Sequence, residues 1–227
     1  MMIMLTSEDK TLIGSAFPFW EKLSHIEKEE FLHHASLNTY AKNSPIHNAD
    51  LECIGILYVK KGSLRVYMMS EDGREITLYR IGSGEICALS ASCVLNSITF
   101  DVYVDAVSDC ELIQICSSYF SKLMEQNVYV EVFTYKLIAE HFSEVMWTMQ
   151  QILFMSFDRR LAIFLLDESA SSKKSELKMT HEEIARLMGS AREVVTRMLK
   201  YFSSEGWVEL GRGSVKIVDR SALSGLI

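Results

Sequence analysis

The sequence is poor in the residues that define several protein classes. Its 227 residues include only two prolines, 11 glycines and five cysteines. So few prolines and glycines exclude collagen-like and low-complexity chains. Because 48% of the residues are apolar, the chain can bury a core, which excludes a disordered protein. An odd number of cysteines at low density argues against a disulfide scaffold and leads us to expect a reducing, cytoplasmic environment.

Long hydrophobic runs are also missing. The stretch over residues 146–157 is interrupted by Thr148, Gln150 and Gln151, and it is shorter than the ~20 apolar residues that a membrane-spanning helix needs. The N-terminal residues lack a basic segment followed by an apolar one. We therefore expect neither a secretion signal nor a membrane partner.

Negative charge is concentrated in the first two thirds of the chain. Residues 1–155 contain 11 Lys+Arg and 20 Asp+Glu, whereas residues 156–227 contain 12 and 10. A polyanionic partner would therefore meet the C-terminal part. The length fits two modest domains or one large one.

Hydrophobic periodicity divides the chain into four stretches. Residues 1–45 favour short helices, with a capping box at Ser24 and Glu27. Residues 46–120 predict a small antiparallel roll of short strands joined by turns such as Asp72-Gly73. Residues 126–155 favour one helix, and residues 156–227 favour three helices followed by a hairpin. The predicted strands of the roll lie at residues 54–59, 64–68, 75–79, 103–107 and 111–115.

The helix predicted over residues 126–155 carries a heptad seam. Apolar residues recur alternately three and four positions apart, which is typical of a coiled-coil contact between two chains. A second apolar row, formed by Ile138, Val145 and Ile152, leaves a face to dock on the roll. We expect a homodimer, the alternative being a helix packed only on its own domain. The seam consists of Val132, Tyr135, Ala139, Phe142, Met146, Met149 and Leu153.

The most specific pattern lies in residues 179–200. Capping boxes at Thr180/Glu183 and Ser190/Glu193 predict two helices, and Gly189 between them suits the sharp turn of a helix-turn-helix. The residues predicted to face the core are Ile184, Ala185, Leu187, Val194, Val195, Met198, Leu199 and Phe202.

Four polar residues remain on the outer face of the second helix: Arg192, Glu193, Thr196 and Arg197. Arginine can bind guanine O6 and N7 with two hydrogen bonds, and glutamate can accept from cytosine N4. The hairpin around residues 211–213 forms a wing that can bring Arg212 or Lys216 to phosphate. The alternatives are a solvated face with salt bridges and, for Glu193, a capping role only.

An enzyme is the competing class. The six histidines are scattered along the sequence and form no metal-ligand set on the predicted strands. No Gly-x-Ser-x-Gly, P-loop or paired-carboxylate pattern occurs, and no Cys-x-x-Cys or His-x-x-x-His spacing indicates zinc. We therefore expect neither catalysis nor a bound metal.

Together these patterns resemble the Crp/Fnr family of transcriptional regulators. The resemblance rests on Thr180-His-Glu-Glu-Ile-Ala185, Gly189, Arg192-Glu193, Arg197 and Lys200, and on Gly62, Glu71-Asp-Gly-Arg-Glu75 and Gly82-Ser-Gly-Glu85. It implies an α+β fold. An antiparallel β-roll of the cyclic-nucleotide-binding type would occupy residues 1–125, a dimerisation helix residues 126–155, and a winged helix-turn-helix residues 156–227.

The resemblance also implies double-stranded DNA and RNA polymerase as partners. In the cyclic AMP receptor branch, the pattern that matches Arg192, Glu193 and Arg197 reads a TGTGA-like half-site of a palindrome. The competing interpretation is a cyclic-nucleotide-like regulatory module without DNA contact. The residues expected at the DNA are Thr180, His181, Ser190, Arg192, Glu193, Thr196 and Arg197.

The sensor departs from the cyclic AMP pattern. Gly84 and Glu85 match the start of that branch's phosphate-binding segment, yet no Lys or Arg occurs from Ile81 to Ser121. A buried phosphate without a cation is costly. The helix positions near Val145 and Met146, where that branch has hydroxyl groups, are apolar. We therefore do not expect cyclic AMP as the effector.

Two cysteines stand in this segment, and three interpretations of them remain open. Cys87 and Cys93 are packed in the core, or one of them is oxidised or ligates heme iron, or the pocket takes a small apolar or aromatic effector. An iron–sulfur cluster is disfavoured because no cysteine precedes Cys53. The expected pocket comprises Gly84, Glu85, Cys87, Leu89, Ser90, Cys93, Tyr135 and Phe142.

Overall fold

A computed structural model of the protein describes residues 5–47, 55–88 and 102–227. The expected pocket residues Leu89, Ser90 and Cys93 lie outside the described residues. The chain forms two compact units, one of Met1–Met69 with Leu78–Val145 and the other of Ser70–Thr77 with Met146–Ile227.

The order of roll, long helix and helix-turn-helix along the chain is as predicted. The helices are α1 (Ser7–Ala16), α2 (His25–His33), α3 (Ser117–Gln126), α4 (Val128–Phe154), α5 (Phe157–Ser172), α6 (His181–Met188), α7 (Arg192–Ser204) and α8 (Arg220–Ser224), with a short 3₁₀ turn at Trp20–Lys22. The strands are β1 (Ala35–Tyr40), β2 (Pro45–His47), β3 (Ile56–Lys61), β4 (Ser63–Met69), β5 (Glu75–Gly82), β6 (Ile86–Cys87), β7 (Tyr103–Ala106), β8 (Cys110–Ile115), β9 (Glu176–Leu177), β10 (Val208–Gly211) and β11 (Ser214–Ile217).

Over the residues that the structure describes, the first unit is a roll of two four-stranded sheets. One sheet has the order β1-β8-β3-β6 and the other β2-β7-β4-β5, and the pairing of β1 with β8, of β3 with β8 and of β4 with β7 is antiparallel. This confirms the predicted antiparallel architecture. The Asp72-Gly73 turn lies between β4 and β5, and Gly73 has a φ of 77°, as that turn requires.

Strand β3 separates two hydrophobic cores. Successive side chains of a strand point to opposite faces. Ile56 and Tyr58 accordingly pack with the helical layer, while Leu57 and Val59 pack between the two sheets. Burial on both faces explains why the first four residues of this strand are all apolar.

The N-terminal region is only partly helical. The capping box at Ser24 is confirmed, since Ser24 N–H donates to Glu27 Oε2 at 2.7 Å and Glu27 N–H donates to Ser24 Oγ at 3.3 Å. The prediction of helices throughout residues 1–45 is wrong at β1. Among the described residues this edge strand pairs only with β8, and its polar residues Asn38 and Thr39 obscure the alternation that would have marked it.

Helix α4 runs without interruption for 27 residues and has two distinct faces. Val130, Thr134 and His141 are buried on the inner face, where the Thr134 hydroxyl donates to the Val130 carbonyl at 2.8 Å. The seven seam residues are all exposed in the single chain.

The second unit packs helices α5, α6, α7 and α8 against a small sheet. Leu161, Leu165, Ile184, Leu199 and Phe202 form its core together with apolar residues of β9, β10 and β11. The sheet order is β10-β11-β9; the two-residue strand β9 was not predicted. Within the described ranges, no helix combines the length and apolarity needed to cross a bilayer.

Candidate nucleic-acid interface

Helix α6 has a defined cap at each end. Glu183 N–H donates to Thr180 Oγ1 at 3.1 Å and Thr180 N–H donates to Glu183 Oε2 at 2.8 Å, so the predicted capping box at Thr180 is confirmed. Helix α6 ends at Gly189, whose φ of 61° lies in the left-handed region that glycine adopts without strain.

The second predicted capping box is wrong. Helix α7 begins at Arg192 after Ala191, and no side chain caps its first turn. The reason lies in the preceding helix end, because Ser190 N–H donates to the Ala185 carbonyl at 2.9 Å and so belongs to the termination of α6. Glu193, which is exposed, is therefore not occupied as a cap.

Helix α7 presents one face to the core and one to solvent. Val195, Leu199 and Phe202 are buried as predicted, whereas Val194 and Met198 are only half-buried. Ile184, Ala185 and Leu187 of α6 are buried, also as predicted.

The solvent face of α7 brings the expected readout residues together. Arg192, Glu193, Thr196 and Arg197 line one open surface depression with Lys200. Sequence reasoning missed Lys200, although its position one turn after Thr196 and Arg197 places it on the same helix face. Arg192 Nε lies 3.9 Å from Glu182 Oε2 with both side chains exposed, and such a solvated pair is weak.

His181 and Thr196 link the two helices. His181 Nδ1 lies 3.0 Å from Thr196 Oγ1, so the histidine expected at phosphate also contacts a residue expected to read bases. Burial lowers the pKa of His181, and the positive charges of Arg192 and Lys200 lower it further. The imidazole is therefore neutral at pH 7.

Two further features surround the helix pair. Arg160 Nη2 donates to the Met188 carbonyl at 3.0 Å, which satisfies a carbonyl at the end of α6. In the hairpin of β10 and β11, Arg212 is exposed, while Lys216 Nζ pairs with Glu209 Oε2 at 2.8 Å. Of the two wing cations, Arg212 is thus the freer to reach phosphate.

In the roll, the glycine-rich turn is satisfied by its own residues. Gly84 has a φ of 93° and its N–H donates to the Val59 carbonyl at 2.8 Å. Glu85 Oε2 accepts from Gly82 N–H at 2.6 Å, so this carboxylate stabilises the turn. Cys87 is fully buried in the core between the sheets.

His141 of α4 contacts strands β5 and β6. Its ring stacks on Tyr79 with centroids 4.6 Å apart, and its Nε2 lies 3.1 Å from the Ile86 carbonyl oxygen. Burial raises the pKa of Tyr79, with smaller contributions from Cys87 and Glu144. The Tyr79 hydroxyl has no hydrogen-bond partner among the described residues.

Two residues expected in the pocket are placed elsewhere. Tyr135 and Phe142 are 54% and 63% exposed on the seam face of α4, whereas the inner face carries His141. Sequence reasoning missed Tyr79 and His141. The available signal was the position of His141 four residues after Leu137 and four before Val145, in the row that faces the roll. Among the described residues, no cluster of His, Cys, Asp or Glu is arranged to hold a metal ion.

Comparisons with known proteins agree with these features. The model of the cyclic nucleotide-binding domain matches residues 37–127, and that of the Crp-like helix-turn-helix domain matches residues 159–226. The cAMP-activated global transcriptional regulator Vfr of Pseudomonas aeruginosa is 25% identical over 205 residues, covering 87% of this chain and 94% of Vfr. The cyclic AMP receptor protein of Thermus thermophilus is 26% identical over 207 residues, covering 91% of this chain and 94% of that protein.

A solved structure is more similar still. The crystal structure of a protein assigned to the Crp/Fnr transcriptional regulators of Eubacterium rectale superimposes with a TM-score of 0.90 at 42% identity. The match covers 93% of this chain and 98% of that protein. On this evidence the chain belongs to the Crp/Fnr family of DNA-binding transcriptional regulators, and is not an enzyme.

Proposed function

We propose that the protein is a homodimeric regulator that binds a palindromic operator with TGTGA-like half-sites. The observation that carries this proposal is the solvent face of α7, where Arg192, Glu193 and Arg197 are all exposed and line one depression. Two guanidinium groups suit guanine and one carboxylate suits cytosine in the major groove. Thr180, His181 and the exposed Arg212 would contribute phosphate contacts that orient the helix.

The dimer is proposed from the seam of α4. Phe142 and Leu153 are 63% and 65% exposed, and a row of apolar residues this long on one helix face is a surface that a partner helix covers. Twofold symmetry would present two copies of α7, which matches a palindrome. Residues 126–155 would then form the dimerisation segment between a sensing domain, residues 1–125, and a DNA-binding domain, residues 156–227.

The effector is proposed to differ from cyclic AMP, although two relatives are named for their response to it. No Lys or Arg occurs between Ile81 and Ser121, and Glu85 is engaged in its own turn. Cys87 is fully buried, which shields its thiol from oxidants. These observations favour a small apolar effector, for which the Tyr79 hydroxyl offers a hydrogen bond, over a thiol or heme sensor. RNA polymerase is the proposed protein partner.

DNA binding is tested with the full-length protein and a labelled duplex that contains a TGTGA palindrome. We expect Arg192→Ala and Arg197→Ala each to weaken binding by ~1–3 kcal/mol and to relax the preference at one base pair. Lys174→Ala removes an exposed cation of the second unit outside the α7 face and serves as the control. Unchanged affinity in both arginine variants would contradict the assigned readout.

The effector proposal is tested separately. Titration with cyclic AMP should not change the DNA affinity, and the absorption spectrum of anaerobically purified protein should show neither heme nor an iron–sulfur cluster. A Cys87→Ser variant should retain the regulatory response. A cyclic AMP dependence of DNA binding would show that the sensor retains the chemistry of its relatives.

A further inference from the structure

We propose that His181 is a positioning residue that sets the hydrogen-bonding polarity of Thr196, and that base preference next to Thr196 therefore depends on pH. The inference rests on the proposed readout by α7. It assigns to His181 a role beyond a phosphate contact, since the histidine acts on a neighbouring readout side chain.

The geometry of the pair is the starting point. His181 is the first residue of α6, and Thr196 lies in the second turn of α7. Their side chains are half-buried, and His181 Nδ1 lies 3.0 Å from Thr196 Oγ1. Thr196 also lines the depression with Arg192, Glu193 and Arg197, so the hydroxyl faces both the imidazole and the surface proposed to meet bases.

A hydroxyl group carries one proton and two lone pairs. When His181 is neutral with its proton on Nε2, Nδ1 accepts a hydrogen bond from the Thr196 hydroxyl. The hydroxyl can then offer only lone pairs to a base. It then suits an amino group, adenine N6 or cytosine N4. When His181 takes up a proton from solvent on Nδ1, that N–H donates to Thr196 Oγ1. The hydroxyl proton is then released towards thymine O4 or guanine O6 and N7.

The charges around His181 set the direction of the switch. The positive charges of Arg192 and Lys200 on α7 lower the pKa of His181, in addition to the effect of burial. On its own helix, Glu182 lies near Arg192 and Glu183 is engaged by Thr180. In the free protein, burial and the two cations favour the neutral imidazole. DNA phosphates add negative charge, which favours the imidazolium, so acidification strengthens the donor form of Thr196 in the complex.

A plain phosphate contact makes a different prediction. Protonation of a histidine that touches only phosphate strengthens binding to all sequences alike, because phosphate contacts carry no sequence information. The proposed pair instead changes the ratio of affinities between two sequences. The experiment therefore compares ratios rather than affinities.

The full-length protein is titrated with palindromic duplexes in which each base pair of both half-sites is inverted in turn, at pH 5.5 and pH 8.0 and constant ionic strength. At one position, we expect the affinity ratio of the two orientations to change by about fivefold, the lower end of what one base contact discriminates. His181→Gln and Thr196→Val should abolish this change, and His25→Gln, at an exposed position of the first unit, should retain it. A constant ratio in the wild type, or a change that persists in Thr196→Val, would overturn the proposal.

A second measurement needs no DNA. In full-length protein labelled with ¹⁵N-histidine, the Nδ1 resonance of His181 at pH 8.0 should be that of an unprotonated nitrogen that accepts a hydrogen bond, and Thr196→Val should shift it. A protonated Nδ1 at this pH would refute the assigned polarity. If the wild type binds none of the duplexes, the proposed operator fails, and the nitrogen resonance still decides the polarity of the pair.

Discussion

Asp9 is a fully buried carboxylate in the first turn of α1. A buried charge is costly unless it is paired, and here three groups compensate it. Lys60 Nζ on β3 lies 2.7 Å from Asp9 Oδ1, and the backbone N–H and hydroxyl of Thr6 donate to Oδ2 at 2.9 and 2.7 Å. One side chain thus caps a helix and ties it to the sheet.

The pair predicts a pH-dependent stability. Burial raises the pKa of Asp9, but the hydrogen bonds from Lys60 and Thr6 outweigh it and hold the pKa below the ordinary 3.8. The carboxylate therefore stabilises the fold above pH 3.8, and this contribution is lost as the pH falls through the lowered pKa. At pH 7, Asp9→Asn should reduce the free energy of unfolding by ~1–3 kcal/mol, because Lys60 loses its charged partner.

Urea denaturation at pH 7 and at pH 3 measures this difference, which should shrink at the lower pH. Glu8→Gln removes an exposed carboxylate one position away and should have little effect. A destabilisation of Asp9→Asn that is equal at both pH values would contradict the assignment.

Single residues were predictable where their partners are close in sequence. The capping residues Ser24 and Thr180 follow from a four-residue pattern, and the structure has both. The contact between Tyr79 and His141 joins residues 62 positions apart, and no local pattern encodes it. The same limit applies to Asp9 and Lys60.

At the scale of the element, α6 and α7 show how a helix boundary is decided. Ser190 followed three positions later by Glu193 has the sequence of a capping box, yet Ala191 holds the cap position. The left-handed Gly189 draws the Ser190 N–H back to the Ala185 carbonyl, and the next helix starts one residue later. Because this competition depends on the geometry of the preceding helix end, the pattern alone could not settle it.

Thr180 and Ser190 give a matched test of the two predicted capping positions. Thr180→Ala removes a confirmed capping bond and should destabilise the fold by ~1 kcal/mol. Ser190→Ala removes no cap and should cost less than about half of that. Chemical denaturation of the full-length variants measures both, and equal losses would mean that Ser190 caps α7 in solution.

Strand β1 is an element that the sequence pattern did not predict. Strands β3 and β8 could be predicted from their buried aliphatic residues, which lie on both faces of each strand. Strand β1 has a polar face in which Asn38 Nδ2 donates to Gln114 Oε1 at 3.0 Å. An edge strand of this kind forms because it pairs with its neighbour, and local hydrophobic periodicity does not indicate that pairing.

For the whole molecule, the seam of α4 predicts the oligomeric state. Phe142→Glu places a charge in the apolar seam and should dissociate the proposed dimer, which sedimentation velocity measures as a halved mass. Gln151→Glu adds the same charge on the side of α4 away from the seam and should leave the dimer intact. Dimers that persist in Phe142→Glu would move the interface to another surface.

Dissociation should also weaken operator binding, because one α7 per particle contacts only one half-site.

The order of roll, long helix and helix-turn-helix was predictable from changes in hydrophobic period along the chain. The division of the roll into two sheets was not, since strand order depends on pairings such as β1 with β8 and β2 with β7 across long stretches of sequence.

The alternation along β3 has a consequence for folding kinetics. Because Ile56 and Tyr58 serve one core while Leu57 and Val59 serve the other, conservative truncations one position apart perturb different cores in an identical backbone setting. The ratio of kinetic to equilibrium destabilisation for Ile56→Val and for Val59→Ala then shows which core is assembled in the transition state. Substitutions within four consecutive residues thus reveal which folding step comes first, docking of the helices or closure of the roll.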